Sequence, residues 1–377
     1  MATLLPVRET TGLHSGVSEP QAKLPTGTSA KSPTLGSNQA WRNMPIRRWR
    51  GFVKRFKRLL CIVDPHRPAD AVLGRAVSLA QNNQATLTVA SVAPRVIAGI
   101  GMPEGGPISA DLQEAVIDDS RQQLENVVAP FRPQMAIHAQ VLVGTPFLEI
   151  SREVLRNGHD LVVKAPEDPD WLERLLGSDD MHLLRKCPCP VWLVKRSPSK
   201  SYRRILAAVD IDADHPDHEL AIRHQLNVKI LELAFSLALS DFAELHVAHA
   251  WQAVGESAMR GAFLGWPEAE ILDYVEQVRK DHDEGLDERL NDVNHTQGND
   301  AVQFLSPTKH VIKGQPQKEI PALAKSLAAD LVVMGTVART GVPGFFIGNT
   351  AEAILEQIEC SVLAVKPEGF ITPVTVE

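Results

Sequence analysis

The sequence predicts an α/β protein built as two tandem, open, parallel five-stranded sheets with helices on both faces. Three observations carry that expectation. Short β-branched runs alternate with helical apolar stripes, the arrangement that specifies a parallel sheet covered on both sides. The pattern also occurs twice: Gly144-Thr145-Pro146 through Ile150, then Asp160-Leu161-Val162-Val163, returns 170 positions later as Gly314-Gln315-Pro316 through Ile320, then Asp330-Leu331-Val332-Val333. Finally, 377 residues are enough for two domains, each with a core of its own.

In chain order, Leu59 to Val63, ending at Asp64, reads as a buried strand, and Ile205 to Val209, ending at Asp210, is its counterpart. Leu87 to Val92 and Leu245 to Ala250 are second strands. The helix between them is plainest in the second copy, where Ile230, Leu233, Ala234 and Leu237 stand at i, i+3, i+4 and i+7. The same stripe recurs at Ile271, Tyr274, Val275 and Val278, at Ile320, Leu323, Ala324 and Leu327, and at Ala351, Ile354, Leu355 and Ile358. Leu331 to Met334 is a further strand, and Val191 to Lys195 and Val362 to Lys366 close the two units. The offset grows from 146 at the first strand to 158 at the second and 170 at the fourth, so the second copy gains its length in loops and helix ends.

These boundaries give residues 1–53 as a disordered basic leader, 54–197 and 201–368 as the two domains, and 369–377 as a tail. The net charge of -7 is unevenly spread: residues 1–58 carry 11 Lys/Arg against two Glu, +9, which leaves -16 for the rest. An acidic body speaks against a broad nucleic-acid face, so no specific nucleic acid is expected. The leader, with Trp41, Ile46, Trp49, Phe52 and Phe56 among its cations, reads as a solvated tail, an amphipathic surface helix or a transit segment, and a start at Met44 is a fourth reading. No run approaches the roughly 18 apolar residues of a membrane-spanning helix. Four cysteines fit no secreted disulfide framework and point to a reducing cytoplasm.

Ligands of open parallel sheets bind beyond the carboxyl ends of the strands, where strand order reverses. Gly335 follows such a strand. The stretch from Gly335 to Gly348-Asn349-Thr350 offers glycines that let backbone approach a phosphate, a helix start that favours an anion, and Arg339 as a cation. Against this, Gly341-Val342-Pro343-Gly344 is turn chemistry, and Asn349 with Glu352 spells a capping box that satisfies the helix amides internally. Asp210 equally reads as the cap of a turn.

These residues resemble the universal stress protein family, whose nucleotide-binding members carry Gly, two residues, Gly, nine residues, then Gly and Ser or Thr. Here Gly335 and Gly348 keep the spacing, while Ala338 and Asn349 depart from it. The resemblance covers roughly residues 57–370 and extends to Leu183-Leu184-Arg185-Lys186-Cys187-Pro188-Cys189-Pro190-Val191 and Lys366-Pro367, as in tandem members of the E type. It implies a Rossmann-like fold and a non-catalytic stress-response function, with ATP or another small ligand held in the second domain by Ala208, Val209, Asp210, Val311, Gly335, Arg339, Gly348, Asn349 and Thr350. Lys164-Ala165-Pro166 and Asp179-Asp180 make the first domain a non-binder that packs on the second as a pseudo-dimer; unknown protein partners and a homodimer are further expectations.

Alternatives remain open: an apolar-ligand pocket roofed by Met259 to Trp266, a ligand-free interaction scaffold, or a slow ATPase. Cys187 and Cys189 read as small buried hydrophobes, with a thiol switch conceivable at Cys187. The loop Asp210 to His215 begins like a calcium loop but has His215 where Gly is needed and Ala221 where Glu is needed, so no metal is expected.

Overall fold

The computed structural model describes residues 56–96, 107–167, 178–195, 201–212, 216–261, 265–297, 305–336 and 347–376. The first unit contains strands β1 (Arg58–Ile62), β2 (Thr86–Ala93), β3 (Ile137–Val143), β4 (Leu161–Lys164) and β5 (Val191–Leu193). Between them run helices α1 (Asp70–Asn83), α2 (Pro107–Val128), α3 (Pro146–Asn157) and α4 (Asp179–Lys186). The second unit has β6 (Arg204–Ala208), β7 (Glu244–Trp251), β8 (Thr308–Lys313), β9 (Leu331–Gly335) and β10 (Ser361–Val365). Its helices are α5 (Asp217–Asp241), the short α6 (Glu256–Met259), α7 (Glu268–Gln297), α8 (Pro316–Ser326) and α9 (Asn349–Leu355).

Two separate sheets were expected; the structure joins them. Strand order is β3-β2-β1-β4-β5-β10-β9-β6-β7-β8, one ten-stranded sheet. All pairs are parallel except the central one, where β5 and β10 run antiparallel with Val362 opposite Leu193 and Leu363 opposite Trp192. β5 and β10 are repeat equivalents, so the seam is the isologous contact of a homodimer written into one chain.

The strands are buried on both sides, and their side-chain alternation divides the core into two layers. Leu59, Cys61, Leu161, Val163, Ile205, Ala207, Leu331 and Val333 face a layer completed by α1, α2, α5 and α7. Leu60, Ile62, Val162, Leu206, Val332 and Met334 face α3, α4, α8 and α9. Both layers run across the seam. Arg75 of α1 ion-pairs with Asp241 of α5 and lies 3.6 Å over the Tyr202 ring. On the opposite face Arg185 of α4 pairs with Glu352 of α9. The stripe Ile230, Leu233, Ala234 and Leu237 is buried as its spacing predicts.

The most faithfully repeated stretch has a local cause. Gly144 (φ 140°) and Gly314 (φ 152°) end β3 and β8 in a conformation that favours glycine. A Cβ there would lie 3.0 Å from Glu149 Cγ or 2.6 Å from Glu319 Cγ. Pro146 and Pro316 then sit at the first helical turn, where no amide partner is required.

The expected tail is structured through Val376. Thr372 Oγ1 donates to Lys186 O at 2.5 Å, and Arg152 Nε and Arg156 donate to Thr375 O and Val376 O at 3.2 and 3.1 Å. The carboxyl end of the second unit is thus bound to α3 and α4 of the first. The leader, residues 1–53, lies outside the described residues. Among the described residues, no helix is long and apolar enough to cross a membrane.

Candidate functional site

In the second unit β6 leads to β7 and β8 on one side and to β9 and β10 on the other, so the order reverses between β6 and β9. Ala208 pairs with Met334 across that boundary, which brings Val209, Asp210, Gly335 and Thr336 together at the carboxyl ends, where ligands of such sheets bind.

The β6 side is tightly determined. Val209 N–H donates to Ala248 O at 3.0 Å, continuing the ladder one residue past the strand. Asn227 of α5, 4% exposed, brackets the next residue: its Oδ1 accepts from Asp210 N–H at 3.1 Å and its Nδ2 donates to Asp210 O at 2.6 Å. The Asp210 carboxylate, half exposed, pairs with Arg223, which also reaches Glu219 at 3.2 Å. Asp212 N–H lies 3.4 Å from Asp210 Oδ1, so the turn-capping reading of Asp210 also has its contact. Arg223 and Asn227 escape sequence reasoning; only their spacing on one face of α5, four apart, could have signalled a pair.

On the β9 side Gly335 is glycine for a reason internal to the core. A Cβ there would lie 2.7 Å from Leu226 Cδ2 and 3.4 Å from Ile230 Cδ1, so α5 occupies the space a side chain would need. Thr336, 1% exposed, donates its N–H to Val365 O at 3.2 Å. Gly348 N–H donates to Thr336 O at 3.0 Å, closing the intervening loop at its base. The loop itself, with Ala338, Arg339, Gly341 and Gly344, lies outside the described residues.

Gly348 behaves differently from Gly335. It is the N-cap of α9 (φ −59°, ψ 137°), and among the described residues a Cβ on it would meet nothing within 4 Å. The helix start carries no side-chain cap. Asn349 and Thr350 are exposed, and Thr350 Oγ1 accepts from Gln317 Nε2 at 3.2 Å. The expected capping box does not form: the cap is Gly348, one residue earlier than Asn349, and Glu352 is drawn away by Arg185 across the seam. Val311 stands apart, half-buried on β8, opposite His249 of β7.

The first unit carries different chemistry at the equivalent strand end. Lys164, at the position of Met334, ion-pairs with Asp180, and the two are 8% and 2% exposed. Asp180 Oδ2 accepts from Glu167 N–H at 2.8 Å, and Glu167 Oε1 lies 3.3 Å from Lys164 Nζ. Burial pushes the Glu167 carboxyl up, opposed by Lys164 and reinforced by Asp180. Ser178 caps α4 by accepting from Met181 N–H at 3.1 Å. Of the two carboxylates expected to keep the first domain from binding, Asp180 is the buried anion of an internal salt bridge.

Cys187 and Cys189 are buried, their sulfurs 3.7 Å apart, and form no disulfide. Lys366 lies beside them, 1% exposed, donating to Leu184 O; burial pulls its ammonium down to about 7, against the pull of the two sulfurs.

Comparison with known proteins agrees with this architecture. The sequence model described as the universal stress protein family matches twice, over residues 55–195 and 201–366. Universal stress protein E of Escherichia coli (strain K12) is 30% identical over 341 residues, covering 85% of this chain and 98% of the relative. The universal stress protein E homolog of Haemophilus influenzae is 28% identical over 325 residues, covering 83% and 98%. A universal stress protein structure from Pseudomonas aeruginosa UCBPP-PA14 superposes with a TM-score of 0.56 at 26% identity, covering 84% of this chain and 95% of that one. The chain belongs to the universal stress protein family, as a tandem member whose two copies share one sheet.

Proposed function

We propose that this universal stress protein binds an ATP-like nucleotide, or another small anionic ligand, in its second unit and acts without catalysis as a cytoplasmic stress-response module. The observation that carries the reading is a contrast between the two units: among the described residues nothing lies within 4 Å of a Cβ built on Gly348 in the second, whereas the first holds a buried Lys164–Asp180 pair. Glycine backbone beside a helix start accepts a phosphate at close range, and Thr350 adds a hydroxyl there. Asp210 and Gly335 are read as the walls of that pocket, with Arg339 contributed by the loop. Four unpaired cysteines support a reducing compartment.

Calorimetric titration with ATP tests the proposal, with Gly348→Val as the diagnostic variant. A Cβ there meets no described residue within 4 Å, so the variant is expected to keep the fold while filling the phosphate position. Gly335→Val is a poor probe, because Leu226 already stands there. Heat from the parent protein that disappears in Gly348→Val supports the reading; no heat from the parent, or equal heat from both, overturns it. Phosphate release that stops in Arg339→Ala replaces the non-catalytic reading with a slow ATPase.

A second reading, an apolar ligand, has its own support: Val254, Trp266 and Leu272 are 69%, 46% and 54% exposed around the segment joining β7 to α7. Displacement of an apolar fluorescent dye by acyl chains, with no response to ATP, would favour it.

A further inference from the structure

Beside the candidate ligand crevice, two imidazoles and a carboxylate converge from β7, α7 and the turn after β6. His249 lies on β7, His282 on α7 and Asp212 in the turn after β6, and their nearest ligand atoms lie within 4.8 Å of one another. His249 Nε2 is 3.0 Å from His282 Nδ1, and Asp212 Oδ1 is 3.6 Å from each. We propose that Asp212, His249 and His282 form a binding site for a divalent transition-metal ion of the zinc class.

The fold prepares these ligands. His249 is 1% exposed, and its Nδ1 lies 3.2 Å from Val209 O. A carbonyl oxygen only accepts, so Nδ1 carries the proton and Nε2 presents its lone pair to the cluster. A ligating histidine is commonly oriented in this way, its second nitrogen held by a backbone carbonyl. His282 is fixed by Trp251, whose ring stacks on it at 5.6 Å and 28°. Asp212 is brought in by the approach of α7: a Cβ on Gly285, one turn beyond His282, would lie 3.4 Å from Ile211 Cδ1.

The dimensions suit a tetrahedral ion. With metal–ligand bonds of about 2.0–2.1 Å, ligand atoms stand roughly 3.3–3.4 Å apart. The separations of 3.0, 3.6 and 3.6 Å bracket that spacing. Two imidazoles select zinc-class ions over calcium or magnesium, which take oxygen. Asp212 is 40% exposed, so a fourth position faces solvent. In the metal-free protein His282 Nδ1–H donates to His249 Nε2; the ion displaces that proton, and His282 binds with its proton on Nε2. Sequence reasoning, which expected no metal, does not bring these residues together, because His249 and His282 meet only through the packing of α7 on β7.

The test needs no nucleotide, so its outcome is separate from that of the nucleotide titration. The test is titration of the tag-free, chelator-treated full-length protein with Co2+, read by its visible ligand-field bands and by quenching of Trp251, then displacement with Zn2+. One equivalent with tetrahedral bands is expected. Affinity should fall at least about 100-fold in His282→Gln and Asp212→Asn, since even supporting groups around a metal cost about 10–100-fold. Both positions are partly exposed, so these variants keep the test decisive if His249→Gln fails to fold. His310→Gln, which breaks a separate histidine pair (His246 Nδ1 to His310 Nε2, 3.1 Å), should leave the tetrahedral spectrum intact. No cobalt bands, binding unchanged in His282→Gln, or loss confined to His310→Gln would overturn the proposal and leave His249–His282 as a hydrogen-bonded pair.

Discussion

Replacing Lys164 with methionine isolates the buried ion pair of the first unit. Asp180 is 2% exposed and would keep the Glu167 N–H at 2.8 Å while losing its cation. Two unit charges about 3 Å apart at an effective dielectric near 20 attract by roughly 5 kcal/mol, and removing one partner of a buried pair costs about 3–5 kcal/mol. Lys164→Met should fall in that range. Asp180→Asn should cost less, about 1–3 kcal/mol, because Lys164 retains Glu167 Oε1 at 3.3 Å. The double variant should lose less than the sum, with a coupling of at least about 2 kcal/mol. Urea midpoints at unchanged m measure each value. A loss below about 1 kcal/mol in Lys164→Met, or strictly additive losses, would refute the argument that Lys164 and Asp180 form a desolvated ion pair.

Gly314→Ala forces a Cβ to 2.6 Å from Glu319 Cγ at φ 152° and should destabilise by about 1–3 kcal/mol; circular-dichroism melting measures it, and an unchanged midpoint would contradict the packing account of the repeated motif. Lys366→Met tests the buried amine. The Lys366 pKa is lowered to about 7 in the folded protein from 10.5. The unfolded chain therefore holds a proton that the folded one lacks between those values, and the parent protein gains stability as pH rises from 7 toward 10.5. The slope is at most about 1.4 kcal/mol per pH unit. Urea midpoints at pH 7 and 9 should rise for the parent relative to Lys366→Met, and parallel profiles would contradict the assignment.

Much of the fold was legible because its signals are local. Short buried β-branched runs, the stripe through Ile230 and Leu237, and the glycine–proline punctuation at Gly144 and Gly314 each act over a few residues, and eight of the ten strands follow from them and the repeat, while β3 and β8 were given no place. What joins the halves was not legible. Val191 to Leu193 reads as a strand, but nothing in its composition names Val362 to Ala364 as its partner. The capping box failed for the same reason: Asn349 and Glu352 satisfy a local rule, and Arg185, 167 residues earlier, overrides it. Gly335 has the spacing of a phosphate loop, yet Leu226, which occupies its side-chain space, is brought there by the tilt of α5. Asp210 was legible as a strand-end acid, whereas its clamp by Asn227 and Arg223 required the packed helix.

Pairing β5 with β10 hides two of the four borders that separate sheets would expose, leaving β3 and β8 as the outer ones. Truncation at the linker would bare a row of amides and carbonyls on β10, and the nearest complement is the same strand of another truncated molecule, met in antiparallel fashion about a two-fold axis. Severed halves are therefore expected to find their own twins in solution, so that a gene split at this point would yield two species of self-associating fragment rather than two monomers.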